Sequence, residues 1–184
     1  MRIIAGRYRG RKIKAPKGSV TRPVLARVRE ALFNILGDQE NLSFLDLFSG
    51  TGAIGIEALS RGADSVIFVE IGAVQCRLIR DNIPETDAGI DIVHSDALRT
   101  LRRFIRDRRT FDIIFADPPY ERGLSQKTVD RVCSGGILSE NGVFAVTVRS
   151  SENLPEECGD CVRIDDRIYG DTRLAFYAYK RRDG

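Results

Sequence analysis

The stretch Ser43-Phe44-Leu45-Asp46-Leu47-Phe48-Ser49-Gly50-Thr51-Gly52-Ala53-Ile54-Gly55-Ile56 decides the fold class. Phe44 to Phe48 set large apolar groups around one carboxylate, the pattern of a buried strand. A glycine turn follows, then a helix with Ile54, Ile56, Ala58 and Leu59 available to face a sheet. Gly50, Gly52 and Gly55 fit the spacing G-x-G-x-x-G, which permits a tight turn, close approach of backbone to ligand, and close packing of helix on strand. The strand before it, the helix after it and an acid downstream strengthen the reading. The implied ligand is nucleotide-shaped.

Working outward, Ser65 to Glu70 reads as a second buried strand, Ile90 to His94 as a third and Phe111 to Ala116 as a fourth. Between them lie helical stretches. One runs from Ala73 to Ile83, with Val74, Leu78 and Ile79 inward. The other runs from Leu98 to Arg109, with Leu98, Leu101 and Ile105 apolar and six arginines around them that make either a second basic patch or a plain solvated surface, the plain reading being preferred. Regular alternation of strand and helix predicts an α/β fold with a mainly parallel sheet. Gly142 to Arg149 supplies a fifth strand, and Cys161–Tyr169 with Arg173–Tyr179 a closing antiparallel pair, for seven strands in all. Ser150 to Gly159 reads as a polar linker.

Ligands of such sheets lie beyond the carboxyl ends of the strands. Asp46, Glu70, Asp96 and Asp117 all fall there. Glu70 lies 18 positions after Gly52, an offset that suits a ribose hydroxyl in NAD or S-adenosylmethionine alike. Asp46 suits an aminoacyl ammonium and would repel a pyrophosphate. Asp96 suits an adenine amino group, although as a helix N-cap it would need no ligand. Four acids on one edge make a poor phosphate site and favour S-adenosylmethionine. The predicted cofactor-binding set is Asp46, Phe48, Ser49, Gly50, Thr51, Gly52, Glu70, Ile71, Asp96, Ala97 and Asp117.

At 184 residues, with 42% hydrophobic and 30% charged residues, the chain fits one soluble domain. No apolar run approaches a membrane span and the start carries no signal-peptide pattern, so a cytoplasmic protein is expected. Four cysteines and a single histidine, His94, complete no zinc site, and reduced structural thiols are expected. The net charge of +3 is unevenly divided. Residues 1–29 hold ten Lys or Arg and no acid, leaving nineteen basic and twenty-six acidic residues in the remainder. A basic arm or small hairpin over residues 1–20, ahead of a domain over 21–184, points to a polyanion, nucleic acid first. Arg2 to Ala5 and Lys12 to Lys14 are candidate short strands. Thr21-Arg22-Pro23 reads as the start of a helix to about Leu36, with Leu25, Val28, Leu32, Ile35 and Leu36 inward and Arg22, Arg27 and Arg29 outside the stripe. The residues expected to meet RNA are Arg7, Arg9, Arg11, Lys12, Arg22, Pro23 and Arg29.

The fourth strand runs into Asp117-Pro118-Pro119-Tyr120, the most specific signal in the chain. Two prolines remove amide donors and stiffen the backbone, so neighbouring carbonyls can point at a ligand. Asp117 adds an acceptor and Tyr120 a stacking face. Together they suit a planar substrate bearing an exocyclic amine, a nucleobase, and the four residues are the candidate catalytic set. Asp-Pro-Pro-Tyr is similar to motif IV of amino-group methyltransferases, and Leu45 to Gly52 resembles motif I of class I methyltransferases. With Thr21-Arg22-Pro23, Arg27 to Asn34 and the opening Arg2-Ile3-Ile4-Ala5-Gly6, nearly the whole chain resembles the bacterial RsmD family. That resemblance implies a Rossmann-like methyltransferase acting with S-adenosyl-L-methionine on N2 of a guanine in 16S ribosomal RNA, free or in a partly assembled small ribosomal subunit. The residues alone leave open adenine N6 methylation on DNA or RNA, and a non-catalytic RNA-binding factor.

Overall fold

The computed structural model describes residues 1–16, 23–84, 89–120 and 123–180, with the backbone alone at 23–25. Its helices are α1 (Pro23–Leu36), α2 (Ala53–Ser60), α3 (Ala73–Asn82), α4 (Ala97–Arg106) and α5 (Leu124–Cys133). Its strands are β1 (Ser43–Leu47), β2 (Ser65–Glu70), β3 (Ile90–His94), β4 (Phe111–Ala116), β5 (Leu138–Arg149), β6 (Glu157–Cys158), β7 (Cys161–Tyr169) and β8 (Thr172–Tyr179). They form one sheet in the order β3-β2-β1-β4-β5-β8-β7-β6. The first five run parallel and β8, β7 and β6 add antiparallel. The strand order reverses between β1 and β4, which opens a crevice at their carboxyl ends.

Both faces of the sheet are covered, as parallel strands require. On one side α4 and α5 pack Leu101, Phe104, Val129 and Val132 against Leu45, Val69 and Ile114. On the other, α1, α2, α3 and the N-terminal residues bury Leu32, Phe33, Ile56 and Ile79 against Phe44, Phe68 and Phe115. Gly55 permits the second contact, because a Cβ there would overlap the Phe68 ring. At the amino edge, Asp112 ties three strands together by accepting from Ser43 N and Oγ and from Ser139 Oγ, at 2.9, 2.7 and 2.7 Å.

The N-terminal residues form a small hairpin that is seated on the body. Arg2 bridges Lys12, and Ile13 N donates to Met1 O at 2.9 Å. Ile3 and Ile13 are buried in the core beneath. Glu57 on α2 is fully buried and holds the hairpin through Ile4 N to Oε2 (2.8 Å) and Ala5 N to Oε1 (2.9 Å). Arg61 Nε donates to the same carboxylate at 3.0 Å.

Several sequence expectations need correction. The sheet has eight strands, because Glu157–Cys158 inside the expected linker pairs with β7. The fifth strand starts at Leu138, four residues before Gly142, across a register shift opposite Phe111 and Ile113. Helix α5 carries only a short apolar signal, Val129, Val132 and Cys133 in its second half, since its buried face includes Ser125 and Thr128 before them, with Thr128 Oγ1 donating back to Leu124 O. In α1 the buried arc is centred on Leu32 and Leu36 and includes Arg29 and Phe33, which leaves Ile35 exposed past its edge. In α3 the buried positions are Cys76, Ile79 and Asn82, and Val74 is exposed in the first turn. The expected cap Thr21 and the side chain of Leu25 lie outside the described residues. No helix among the described residues is long and apolar enough to cross a membrane.

The buried Glu57 carboxylate couples hairpin to body, which yields a stability test. Glu57→Gln leaves Arg61 and the nearby Arg29 without their buried counter-charge. Removing one partner of a buried pair costs about 3–5 kcal/mol. Urea unfolding should show a loss of that order, and trypsin should cut at Arg7, Arg9 or Arg11 faster than in wild type. A loss below about 1 kcal/mol with unchanged cleavage would show that the hairpin is held by other contacts.

Candidate active site

The parallel register lays four acids along the carboxyl edge. Leu47 pairs with Val69 and Ala116, so Asp46, Glu70 and Asp117 lie at the ends of three adjacent strands, and Asp96 follows β3. Phe48 adopts φ of +60°, a left-handed conformation that is costly for a bulky residue and turns the chain sharply above the strand. Such outliers persist where surrounding contacts over-determine them. Here Ser49 supplies those contacts: its N donates to Val69 O (3.1 Å), and Val69 N donates to its Oγ (3.0 Å).

Asp46 is 1% exposed and accepts from Gly55 N at 3.1 Å. Burial pushes its pKa up to about 8; the Gly55 bond opposes the shift, while the charges of Asp117 and Glu70 add to it. Glu70 is held at both oxygens, Oε2 by Gly50 N and Oε1 by Gly72 N, each at 2.8 Å. The glycine turn and the second acid are therefore one hydrogen-bonded unit. Ile71, next in sequence, is 67% exposed, and its carbonyl accepts from His94 Nε2 at 3.0 Å. Asp96 caps α4 by accepting from Arg99 N at 2.8 Å, with buried Ala97 opening the helix.

A cavity of about 500 Å³ opens between this edge and the N-terminal layer. It is walled by Phe48, Ser49, Gly50 and Thr51 of the turn, Asp46 and Asp117 of the strand ends, and Met1, Arg2 and Arg29 of the N-terminal layer. Gly52 lies behind the wall as the left-handed N-cap of α2. Glu70 and Asp96 are outside the cavity lining, further along the edge toward β3. Asp117 shows an exposed face to the opening, yet protein crowds its carboxyl group and raises the pKa, with the Thr147 hydroxyl opposing by donating to Oδ1. Pro118 is buried and Pro119 exposed. Tyr120 is 39% exposed; Arg149 Cζ stands 4.9 Å from its ring centroid and its hydroxyl is 3.3 Å from Thr172 Oγ1.

Arg29 does not lie on the surface where an RNA contact was expected. It is 4% exposed, its Nη2 donates to Arg2 O at 2.6 Å, and its Nε is 3.9 Å from Glu57 Oε2. Burial lowers its pKa. Its Nε and Nη1 have no hydrogen-bond partner among the described residues. Arg7, Arg9, Arg11 and Lys12 lie in the hairpin, with Arg9, Arg11 and Lys12 exposed. Arg22 and the side chain of Pro23 lie outside the described residues. Three site residues escaped the sequence reading. Thr147 was visible as one hydroxyl in the apolar run of β5, whereas Arg149 and the hairpin's Met1 carry no local signal and are brought in by topology.

The residues present suit a nucleoside bearing an amino acid. Asp46 offers an anion to an ammonium, Glu70 has its two oxygens fixed beside a hydroxyl-sized edge, and the open turn leaves room for a backbone-hugging ligand. A nucleobase substrate would enter beside Asp117 and Tyr120. The described residues contain no group of three or more His, Cys, Asp or Glu placed to hold a metal ion.

Comparison with known proteins agrees with this geometry. The family model described as Conserved hypothetical protein 95 matches residues 1–178. Ribosomal RNA small subunit methyltransferase D of Escherichia coli K12 is 32% identical over 184 residues, covering 98% of this chain and 90% of its own length. Bacillus subtilis YlbH is 34% identical over 180 residues, covering 96% and 98%. Among solved structures, Escherichia coli yhhF matches with a TM-score of 0.85 and 29% identity over 99% of both chains. The chain belongs to the Conserved hypothetical protein 95 family, the RsmD family of ribosomal RNA methyltransferases.

Proposed function

We propose that this chain methylates the exocyclic N2 of one guanine in small-subunit, 16S ribosomal RNA, with S-adenosyl-L-methionine as donor. The single observation that carries the reading is that Asp117, the first residue of Asp117-Pro118-Pro119-Tyr120, lines one cavity together with the glycine turn and Asp46. Similarity to a named small-subunit rRNA methyltransferase supports the substrate class. A ribosomal substrate, free or in a partly assembled subunit, implies a cytoplasmic enzyme.

Bound S-adenosylmethionine supplies an electrophilic methyl group on a sulfonium sulfur. The protein's work is to orient the acceptor. A guanine amine is a weak nucleophile because its lone pair is delocalised into the ring. Asp117 and the Pro118 carbonyl accept its two hydrogens and favour the out-of-plane lone pair. The base, flipped from its stack, rests on the face of Tyr120 not covered by Arg149. Positive charge grows on nitrogen as the new bond forms, so the Asp117 contact strengthens toward the transition state. The excess proton then leaves the amine through this acceptor to water. Asp46 and Arg29, both in the cavity lining, match the ammonium and carboxylate of the cofactor's amino acid.

Two outcomes test this reading. Asp117→Ala should lower the turnover number by about 10²–10³-fold, the usual effect of deleting one preorganised transition-state contact. Cofactor affinity should change far less, and Asp117→Asn should be milder because its amide oxygen still accepts. Nucleoside mass spectrometry should find N2-methylguanosine; a wild type that makes only N6-methyladenosine refutes the guanine assignment. The second outcome follows from Asp46. Its folded pKa of about 8 means that it is protonated in the free enzyme below that pH, and pairing with an ammonium requires the carboxylate. Cofactor affinity should therefore rise with pH between about 6 and 8, by up to about tenfold per unit. Titration calorimetry in buffers of different ionisation enthalpy should show about one proton released at pH 6.5. Asp46→Asn should bind more weakly and release none.

A further inference from the structure

Helix α4 carries charge that the fold does not explain. Residues 97–109 hold six arginines and one acid, so six of the nineteen basic residues after position 29 lie in one short stretch. All six arginines are exposed. Arg99, Arg102, Arg103 and Arg106 recur at three- and four-residue spacing, which makes one stripe of like charges that repel along the helix. A merely solvated helix face would interleave acids.

Structural roles account for part of the set. Arg103 and Arg106 lie in the last turn, where the helix dipole favours cations. Arg103 and Arg109 lie over the Phe104 ring, at 5.2 and 5.5 Å. Arg106 pairs with Asp107 at 2.8 Å, an exposed contact of small value. Arg99, Arg102 and, just past the helix, Arg108 remain. Arg99 stands in the first turn, where the dipole disfavours cations, Arg102 stands in mid-helix where the dipole does not favour them, and neither has a carboxylate partner among the described residues.

Their position supplies the role. Helix α4 starts at Ala97, directly after the carboxyl end of β3, so its first turn stands at the rim of the acidic edge. It packs on the sheet face opposite the N-terminal hairpin. Basic surfaces thus flank the site on both layers of the fold. We infer that the α4 stripe, led by Arg99 and Arg102, is a second RNA-phosphate contact that holds the backbone on the side of the crevice away from the hairpin. It rests on the RNA reading above and adds a surface that reading does not require.

The test is Arg99→Gln/Arg102→Gln in the full chain, with unmodified small-subunit rRNA transcript as probe. Each lost phosphate contact should reduce the slope of log affinity against log salt by about 0.7 on single strands or 0.9 on duplex, so the double variant should lose about 1.4–1.8. The KM for RNA should rise about tenfold near physiological salt, while kcat and cofactor affinity stay at wild-type values. Thermal stability should hold or rise, since like-charge repulsion is relieved. Arg99→Lys/Arg102→Lys should keep the wild-type salt slope. A Gln variant with wild-type slope and affinity overturns the proposal, and so does a loss of affinity that leaves the slope intact. If wild type binds the transcript but never methylates it, the functional reading fails while the binding data still decide this surface.

Discussion

A carboxyl group set in a place that disfavours its charge is the constraint around which this structure is arranged. Asp46 ends β1, is almost wholly buried, and receives one hydrogen bond from Gly55 N. Moving that N–H away would leave the acid with no fixed donor. The turn between them is correspondingly over-determined. Phe48 is held in a left-handed conformation, Ser49 is locked to β2, and Gly50 N is tied to Glu70. In the free protein the raised pKa makes the neutral acid the favoured form at neutral pH. Because the folded pKa lies above the unfolded one, Asp46 weakens folding progressively as pH rises from about 4 to about 8. A cation bound beside it reverses that cost, so the site is less stable empty than filled. This is the usual signature of a functional rather than a structural acid.

The cavity is built from two layers that are far apart in sequence. Motif residues at 46–51 and 117 supply one side, and the hairpin and α1 supply the other. Glu57 makes that possible, because it fastens the first residues of the chain to α2 just behind the glycine turn. A disordered basic tail could bind RNA but could not wall a cofactor pocket. The hairpin therefore contributes twice: Met1 and Arg2 shape the cavity, while Arg9, Arg11 and Lys12 face solvent.

Legibility in the sequence followed the length and purity of each signal. The β1 turn, the four acids and the parallel core were readable because buried strands and glycine turns leave dense, local patterns. Helix α5 was not, because Ser125 and Thr128 are buried with their hydroxyls satisfied inside the fold, Thr128 by Leu124 O in its own helix and Ser125 by the distant Glu152. Two-residue β6 is too short to have a pattern at all. Arg29 was misplaced for a related reason: charge in a helix pattern reads as surface, and only tertiary packing shows that its guanidinium is enclosed beside Glu57. Among site residues, those on strand ends were legible and those supplied by distant elements were not. Thr147 and Arg149 reach Asp117 and Tyr120 only because β5 lies next to β4.

The segregation of charge has a consequence for how a polyanion can use this pocket. Acids crowd the floor and inner edge, and cations stand on the hairpin and on α4 outside it. A phosphate drawn to the rim gains attraction, and one moved inward meets the acidic edge at Glu70 and Asp117, where repulsion is screened only over a Debye length of about 10 Å at 0.1 M salt. A base has no net charge and suffers no such repulsion. The field alone thus favours one arrangement, with backbone held at the rim and base turned inward. Discrimination between bases must then come from short-range contacts at Asp117, Pro118 and Tyr120, since the long-range field treats all four alike.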